Sequence, residues 1–482
     1  MTSLGKGALL LLFSYAIFFI TGYGIYFGLA RILTLEDFGT YGVIIALVSV
    51  VTVVFGDSAR QIVSKFASQA PKAHLRSLAL HSLRVFFIAG LVLSVIFFLA
   101  SGLLALLLND SSLTPLIQFS SILILLQLEF SVLVGFLNGL HSFKRQAFLE
   151  SSYYVLKLAF VLALPLLGFG LFGAIGGFII AVLAALALGF LACFKSLFSK
   201  GKSASRLKAK NFLHFSIGVF LTTLALHLLN NLDLFFAKAL SPSGSSGILA
   251  GYYIAASTIA RMPQVFGIAL AGVLFPLVVK SFSKRRDFAL RQARNAFQYA
   301  LMALAFFAAF FLANPGEVLL LAFSPEFLPA VPALEALLFG ASIYSLFFLL
   351  VVSMMAVGKP FRAFSIALAV LALQFLLTFF LAPLGLFGIA AALSISLLAG
   401  FFLALLVFQK TAGFLPDFGK AFKTLACGLL VFAVSKALAF EGIGLFFEFL
   451  IAACLFALLL HLLKVFSIND WKHALRLLGN QP

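Results

Sequence analysis

Fourteen stretches of this 482-residue chain are each apolar over about the twenty residues that a helix needs to cross a bilayer. They lie near 8–30, 39–63, 78–107, 113–138, 147–168, 172–194, 212–238, 248–279, 289–313, 331–356, 362–382, 386–408, 421–439 and 443–464. Hydrophobic residues make up 63% of the chain and charged residues only 10%, where a soluble domain holds roughly 25% charged. Too few polar groups are present to cover a water-facing surface, so the sequence reads as an all-α polytopic membrane protein. The first run follows Lys6 as the core of a signal peptide would, but no A-x-A site comes after it. The apolar stretch continues to Leu29, and it is expected to remain as the first span.

The connections between runs alternate in charge. One set is rich in lysine and arginine ("HSFKRQ", "KSFSKRRDFALRQAR", "GKPFR"), and the other nearly lacks them ("NDSSLTP", "GFGLFG", "SPSGSSG"). By the positive-inside rule both termini face the cytoplasm, as an even number of spans requires, in a plasma (inner) membrane. The same loops account for most of the net charge of +18, so no nucleic-acid partner is implied. The three cysteines, Cys193, Cys427 and Cys454, sit in apolar runs without metal-ligand spacing, and no metal site or cofactor is expected.

The chain repeats itself. "LPLLGFGLFGAIGGFIIAVLAALALGF" (164–190) recurs as "LAPLGLFGIAAALSISLLAGFF" (381–402), in each case a span that ends at proline, a Gly-Leu-Phe-Gly turn and a span rich in small residues. "FGTYGVIIALVSVV" (38–51) is echoed more weakly by "AGYYIAASTIARMP" (250–263). The copies fall six spans apart and run in the same direction, so the expected layout is two parallel six-helix repeats plus two C-terminal helices, a transporter architecture. The boundaries expected are 1–195 for the first lobe, 196–210 for a basic cytoplasmic linker, 211–410 for the second lobe, and 411–482 for the last two helices and a cytoplasmic tail.

Six plus six plus two spans, "LTLEDFGTYG" (33–42), "GYYIAASTIARMP" (251–263) and the Phe275–Pro276 pair together resemble the polysaccharide-transporter (Wzx-type flippase) family of the multidrug/oligosaccharidyl-lipid/polysaccharide (MOP) exporter superfamily, over residues 1 to about 465. The resemblance implies V-shaped lobes around a central cavity. It also implies a cargo, an isoprenoid-diphosphate-linked oligosaccharide carried from the cytoplasmic to the outer leaflet by alternating access. Related flippases of lipid-linked precursors bind diphosphate with cavity arginines on the second and eighth spans, which carries that role to Arg60 and Arg261. Membrane lipids are the surrounding partner, and the chain is expected to be a monomer that associates with glycan polymerase or glycosyltransferases.

Ionisable residues inside a membrane are costly and face a cavity or a partner, with arginine at a helix centre charged at about 2.5–3.5 kcal/mol. Tyr253, Ser257, Arg261 and Gln264 are spaced as one stripe of the eighth span, with a kink expected at Pro263. Arg60 and Lys157 complete the substrate-binding set. Asp57 and Arg60 are also spaced for a pair within one helix, and Glu129 is an alternative partner for Lys157. Cations suit a diphosphate, since a unit pair 4 Å apart gains about 4 kcal/mol at an effective dielectric of 20. On the seventh span His227, Asn230 and Asp233 suit a coupling Na⁺ or H⁺, with oxygen ligands for a hard cation. Gln127, Ser131, Gly135 and Asn138 read as helix packing, and Arg31 and Asp57 as gate or interface residues.

An enzyme is not expected. The longest outer loop, 314–330, carries Glu317 and Glu326 but no histidine, and no DxD, HExxH, GxSxG or P-loop pattern occurs. That leaves a membrane glycan polymerase or ligase as the weakest reading. The nearer alternatives are a murein-precursor flippase, which differs only in cargo, and a cation-coupled drug exporter of the MATE type, whose cavity should be acidic.

Overall fold

The computed structural model describes residues 3–71, 74–197, 213–241, 246–282 and 285–465. The basic linker from residue 198 onward and the tail beyond 465 lie outside them. The described residues are helical, with no strand among them, and they form two compact units. Residues up to 197 make the first, joined by the segment 238–251; residues 213–237 and 252–465 make the second.

In the first unit the helices are α1 (Ser3–Ile32), α2 (Leu35–Gln69), α3 (Leu75–Leu99), α4 (Ser101–Leu107), α5 (Thr114–Ser120), α6 (Ile122–Gly139), α7 (Phe143–Leu164) and α8 (Gly170–Leu197). The rest are α9 (Leu213–Leu229), α10 (Leu232–Ala239), α11 (Ser246–Ala260), α12 (Gln264–Ser281), α13 (Arg286–Ala313), α14 (Pro315–Ala322), α15 (Val331–Ala356), α16 (Pro360–Leu381), α17 (Gly385–Ala412), α18 (Phe418–Leu438) and α19 (Gly444–Leu462). Large apolar side chains stand exposed along many of them, Phe379, Phe380 and Leu429 at more than two-thirds of their surface. Water would not tolerate that band; lipid tails do. Among the described residues ten helical stretches are long and apolar enough to cross a membrane, or twelve if each of two bent pairs is one span. The protein is a multi-pass membrane protein.

Two of those ten are far longer than a bilayer: 143–193 has 51 residues and 360–412 has 53. Each contains one copy of the repeated Gly-Leu-Phe-Gly. Its first glycine takes nearly the same backbone in both copies, φ 52° and ψ −139° at Gly170 and φ 68° and ψ −149° at Gly385. Side chains are excluded from that region, so glycine is what lets the chain turn. The last glycine of each copy lets the new helix press on the end of the old one: a Cβ on Gly173 would lie 2.6 Å from Phe169 Cβ, and one on Gly388 2.8 Å from Leu384 Cβ. As a result α7 packs against α8, and α16 against α17.

Two other spans are broken. The axis turns by 41° between α9 and α10, and by 57° between α11 and α12. At the first break the Asn231 side chain donates to the His227 carbonyl at 2.8 Å, standing in for a backbone donor. At the second, Pro263 brings no N–H, and the Arg261 carbonyl instead accepts from Gln264 N in a tighter turn. The last pair, α18 and α19, packs on α13. There buried Glu448 accepts from Asn314 Nδ2 and from the Phe440 backbone N–H, so its charge is not left bare in the apolar interior.

Candidate functional site

Within the first unit α1, α2, α6, α7 and α8 surround a cavity of about 400 Å³. Its polar wall includes Asp57, Arg60, Gln127, Glu150, Tyr153 and Lys157. What sets this wall is a close helix crossing. Gly56, Arg60 and Ser64 repeat every four residues along α2, and Ser131, Gly135 and Gly139 do so along α6. A Cβ on Gly135 would fall 2.9 Å from Arg60 Cα, and one on Gly139 3.1 Å from the Ser64 carbonyl carbon. Small residues at this spacing let the two backbones touch, as in membrane helix pairs generally. Ser131 and Gly135 are thus packing residues, as the sequence indicated.

From this seam a chain of hydrogen bonds runs into the cavity. Ser64 Oγ donates to Asn138 Oδ1 (2.8 Å), Asn138 Nδ2 to Gln146 Oε1 (3.0 Å) and Gln146 Nε2 to Glu150 Oε2 (3.3 Å). The other Glu150 oxygen lies 3.0 Å from Arg60 Nη2. Arg60 therefore pairs across to α7 rather than with Asp57 one turn before it. Its side chain stays 30% exposed, and a guanidinium has five N–H donors, so one bond to Glu150 leaves others for a ligand. Gln127 Nε2 donates to the Tyr153 hydroxyl at 2.8 Å.

Lys157 stands two turns beyond Glu150 on α7, about 10 Å further along the axis. Its Nζ sits 3.7 Å from the centroid of the Phe178 ring and forms no ion pair among the described residues. The alternative partner Glu129 is buried on α6, does not line the cavity, and its Oε1 makes no hydrogen bond among the described residues. Asp57 also lines the cavity, with no ion pair among the described residues. The lining holds two cations and two carboxylates, of which only Arg60 and Glu150 are joined. Phosphate oxygens would be met by the free donors of Arg60 and by the Lys157 ammonium.

The second unit brings together Asp233, Tyr253 and Arg261. Asp233 is fully buried; its Oδ2 accepts the Tyr253 hydroxyl at 2.8 Å and lies 3.3 Å from Arg261 Nη2, while its Oδ1 has no partner. The even stripe expected along the eighth span is corrected here. It is cut by the break after Ala260, which puts Gln264 on a different helix axis from Tyr253 and Ser257. Ser257 is buried and donates to the Ile254 carbonyl. Arg261, Gln264 and Asn230 line one narrow crevice of about 10 Å³. The seventh-span stripe is likewise cut at Asn230–Asn231, since His227 ends on α9 and Asp233 lies on α10. Arg31 is exposed in the last turn of α1, with no ion pair among the described residues.

Three residues were missed in the sequence. Lys238, whose side chain is wholly buried, lies 2.7 Å from Asp110 Oδ2 within the first unit. Gln374 and Thr378 are fully buried on α16, and their side-chain N and O atoms find no hydrogen-bond partner. They are four apart in an otherwise apolar run, a signal that was there to read. The rings of Phe236 and Phe375, 5.4 Å apart, join α10 to α16 next to them.

The family described as "Polysaccharide biosynthesis protein" matches residues 4–282, more than half of the chain. The chain belongs to that family. The lipid II flippase MurJ in an inward closed conformation superposes with a TM-score of 0.72 at 17% identity, over 93% of this chain and 98% of that one. An inward-facing multidrug resistance MATE transporter of the MOP superfamily gives 0.65 at 14% identity, over 82% and 94%. An outward-facing one gives 0.60 at 16% identity, over 85% and 96%. No curated protein sequence matches the chain. This polysaccharide biosynthesis protein therefore has the MurJ and MATE fold, and its likenesses are transporters and flippases rather than enzymes.

Proposed function

We propose that this protein is a flippase that moves an isoprenoid-diphosphate-linked oligosaccharide from the cytoplasmic to the outer leaflet. The observation that carries the reading is Lys157 in the first unit's cavity: an ammonium within the span, with no ion pair among the described residues, in the same lining as the half-free guanidinium of Arg60. A cation without an ion pair is costly there and favours an anionic ligand. A diphosphate supplies one, and the planar Arg60 fork suits its oxygens. In this reading Arg261 and Gln264, which line the crevice, serve the cargo from the second lobe, while Tyr253 and Ser257 are buried and bonded within the unit, and Asp57 and Arg31 serve the gate.

The layout proposed is fourteen spans with both termini cytoplasmic, 143–193 and 360–412 each crossing twice and each broken pair once. The lobes 1–195 and 211–410 would rock against each other. A coupling Na⁺ or H⁺ would act at Asp233, with His227 and Asn230 on the preceding segment of the broken span. The bare Asp233 Oδ1 supplies an oxygen of the kind that such a hard cation takes.

The test is liposome reconstitution with a fluorescent isoprenoid-diphosphate sugar, comparing the intact protein with Lys157→Gln. Leaflet exchange by the intact protein that the variant loses, with its fold retained, supports the reading. Equal exchange in both removes Lys157 from the mechanism. A murein precursor as the second substrate separates cargo within the class. Asp57, unpaired in the same cavity, favours a second reading, export of organic cations. Flux of a cationic dye that Asp57→Asn abolishes, with no lipid exchange, would replace the flippase by that exporter.

A further inference from the structure

An open groove of about 430 Å³ lies between α7 and α8, lined by Lys144, Arg145, Phe148, Leu188, Leu191 and Ala192. Its two ends differ in chemistry. Lys144 and Arg145 stand in the first turn of α7, and no carboxylate is among the lining residues. Arg145 is held in place, its Nη1 donating to the Ala192 carbonyl at 3.1 Å, so one of the two cations bridges the groove instead of waving in solvent. The remainder is apolar and bare: Phe148 is 64% exposed and Leu191 68%.

The groove is separate from the cavity. Phe148 and Glu150 are two residues apart, and at about 100° per residue their side chains leave α7 on nearly opposite sides. Glu150 points into the cavity and Phe148 away from it, toward lipid. The cavity and the groove thus take different ligands.

We propose that this groove is a binding site for an anionic phospholipid, with the headgroup phosphate between Lys144 and Arg145 and an acyl chain along Phe148, Leu188 and Leu191. Three features of the groove choose that occupant. Two cations without a carboxylate ask for an anion, and an adjoining apolar trough asks for a hydrocarbon chain. The "HSFKRQ" connection that carries the cations is on the cytoplasmic side in the orientation proposed above, where anionic lipids gather. Free phosphate would satisfy the cations but leave the trough bare; a zwitterionic lipid would fill the trough, but its own ammonium would oppose the cations. A structural lipid wedged at the mouth of the α7–α8 hairpin would brace the helix that carries Lys157 and Glu150.

The experiment places the full chain in nanodiscs that contain photoactivatable phosphatidylglycerol or phosphatidylcholine, with the diazirine high in the acyl chain, and maps the labelled peptides. Phosphatidylglycerol is expected to label the stretch around Phe148 and Leu188–Ala192 well above phosphatidylcholine. Two cations near a membrane surface, at about 1 kcal/mol each, correspond to roughly 30-fold. Lys144→Gln with Arg145→Gln should bring that labelling down to the phosphatidylcholine level while labelling of α18 and α19 stays the same. Leu188→Trp, which fills the trough and keeps both cations, should also lower it. Equal labelling by the two lipids, labelling unchanged in the double variant, or loss on addition of inorganic phosphate would each overturn the proposal. None of these readouts depends on flipping, so the site stands or falls apart from the proposed function.

Discussion

Arg261 Nη2 lies 3.3 Å from the same Asp233 oxygen that accepts the Tyr253 hydroxyl, so one buried carboxylate ties together two broken helices. Arg261 is 23% exposed while Asp233 is fully buried, and the pair is asymmetric. Removing the arginine leaves a buried carboxylate without its cation; removing the carboxylate leaves a cation that can still reach the crevice. Arg261→Ala should therefore destabilise by about 3 kcal/mol, in the range for a broken buried pair, and Asp233→Asn by less. The double variant should recover part of the loss. Thermal melts of the purified protein check this, and an Arg261→Ala that melts with the intact protein would show that the pair does not hold the helices.

The α2–α6 crossing predicts a contrast between glycines. A Cβ at Gly135 would be 2.5 Å from the Arg60 carbonyl oxygen, whereas one at Gly102 meets nothing within 4 Å. Gly135→Ala should then cost about 1–3 kcal/mol as overpacking, and it should shift Arg60 with the α2 backbone. Gly102→Ala, in an exposed helical position, should be neutral or gain about 0.5–1 kcal/mol. Melting temperature reads the first effect, and exchange of the fluorescent lipid-linked sugar reads the displacement of Arg60. Equal stability in the two variants would mean that the helices can separate freely.

How much of this was legible in the sequence follows from the range of the forces. Spans are written in local hydropathy, and turns in glycine and proline, so the Gly170 and Gly385 turns and the break at Pro263 could be read from one stretch at a time. Partners could not. Arg60 sits three residues from Asp57, yet it pairs with Glu150, because the α2–α6 seam and the course of α7 decide which carboxylate comes within reach. Lys238 reads as the end of a span and turns out to be a buried ion-pair partner of Asp110, 128 residues away. The evenly spaced stripe of the seventh span assumed a straight helix, and that helix breaks within it; in the eighth span the break comes where Pro263 announces it.

At the cavity, Phe178 provides a graded test of the cation. Its ring lies against the Lys157 ammonium, a contact worth about 0.5–2 kcal/mol depending on desolvation. In the intact protein that contact steadies the ammonium before cargo arrives. Phe178→Leu keeps the apolar wall and the charge, so lipid exchange should fall only a few-fold, against near-complete loss in Lys157→Gln. Lys157→Arg, with its charge kept, should fall between the two. Exchange rates measured side by side give the order. A Phe178→Leu loss as deep as that of Lys157→Gln would mean that the ring shapes the site by packing, with the charge secondary.

The path of 143–193 through the membrane can be read with single cysteines in a background lacking Cys193, Cys427 and Cys454. As one straight helix its 51 residues would run about 77 Å, more than twice the roughly 30 Å apolar core, so a single crossing is physically excluded. The chain turns instead at 165–170, where Gly168 and Gly170 both take positive φ, at 93° and 52°, and Leu167 is 71% exposed. If the stretch crosses twice, a cysteine at Leu167 must face the side opposite to one at Ser142. A membrane-impermeant maleimide added outside intact cells should then label Leu167→Cys and spare Ser142→Cys until the membrane is opened. The equivalent pair in the other repeat, Leu384→Cys and Lys359→Cys, should behave in the same way, because Gly385 repeats the Gly170 backbone and the copies run parallel. Labelling of both members of a pair from outside would make the turn a re-entrant loop and reduce the count below fourteen. An inverted pattern in one repeat alone would make the repeats antiparallel, and the Arg60–Arg261 correspondence across them would go with it.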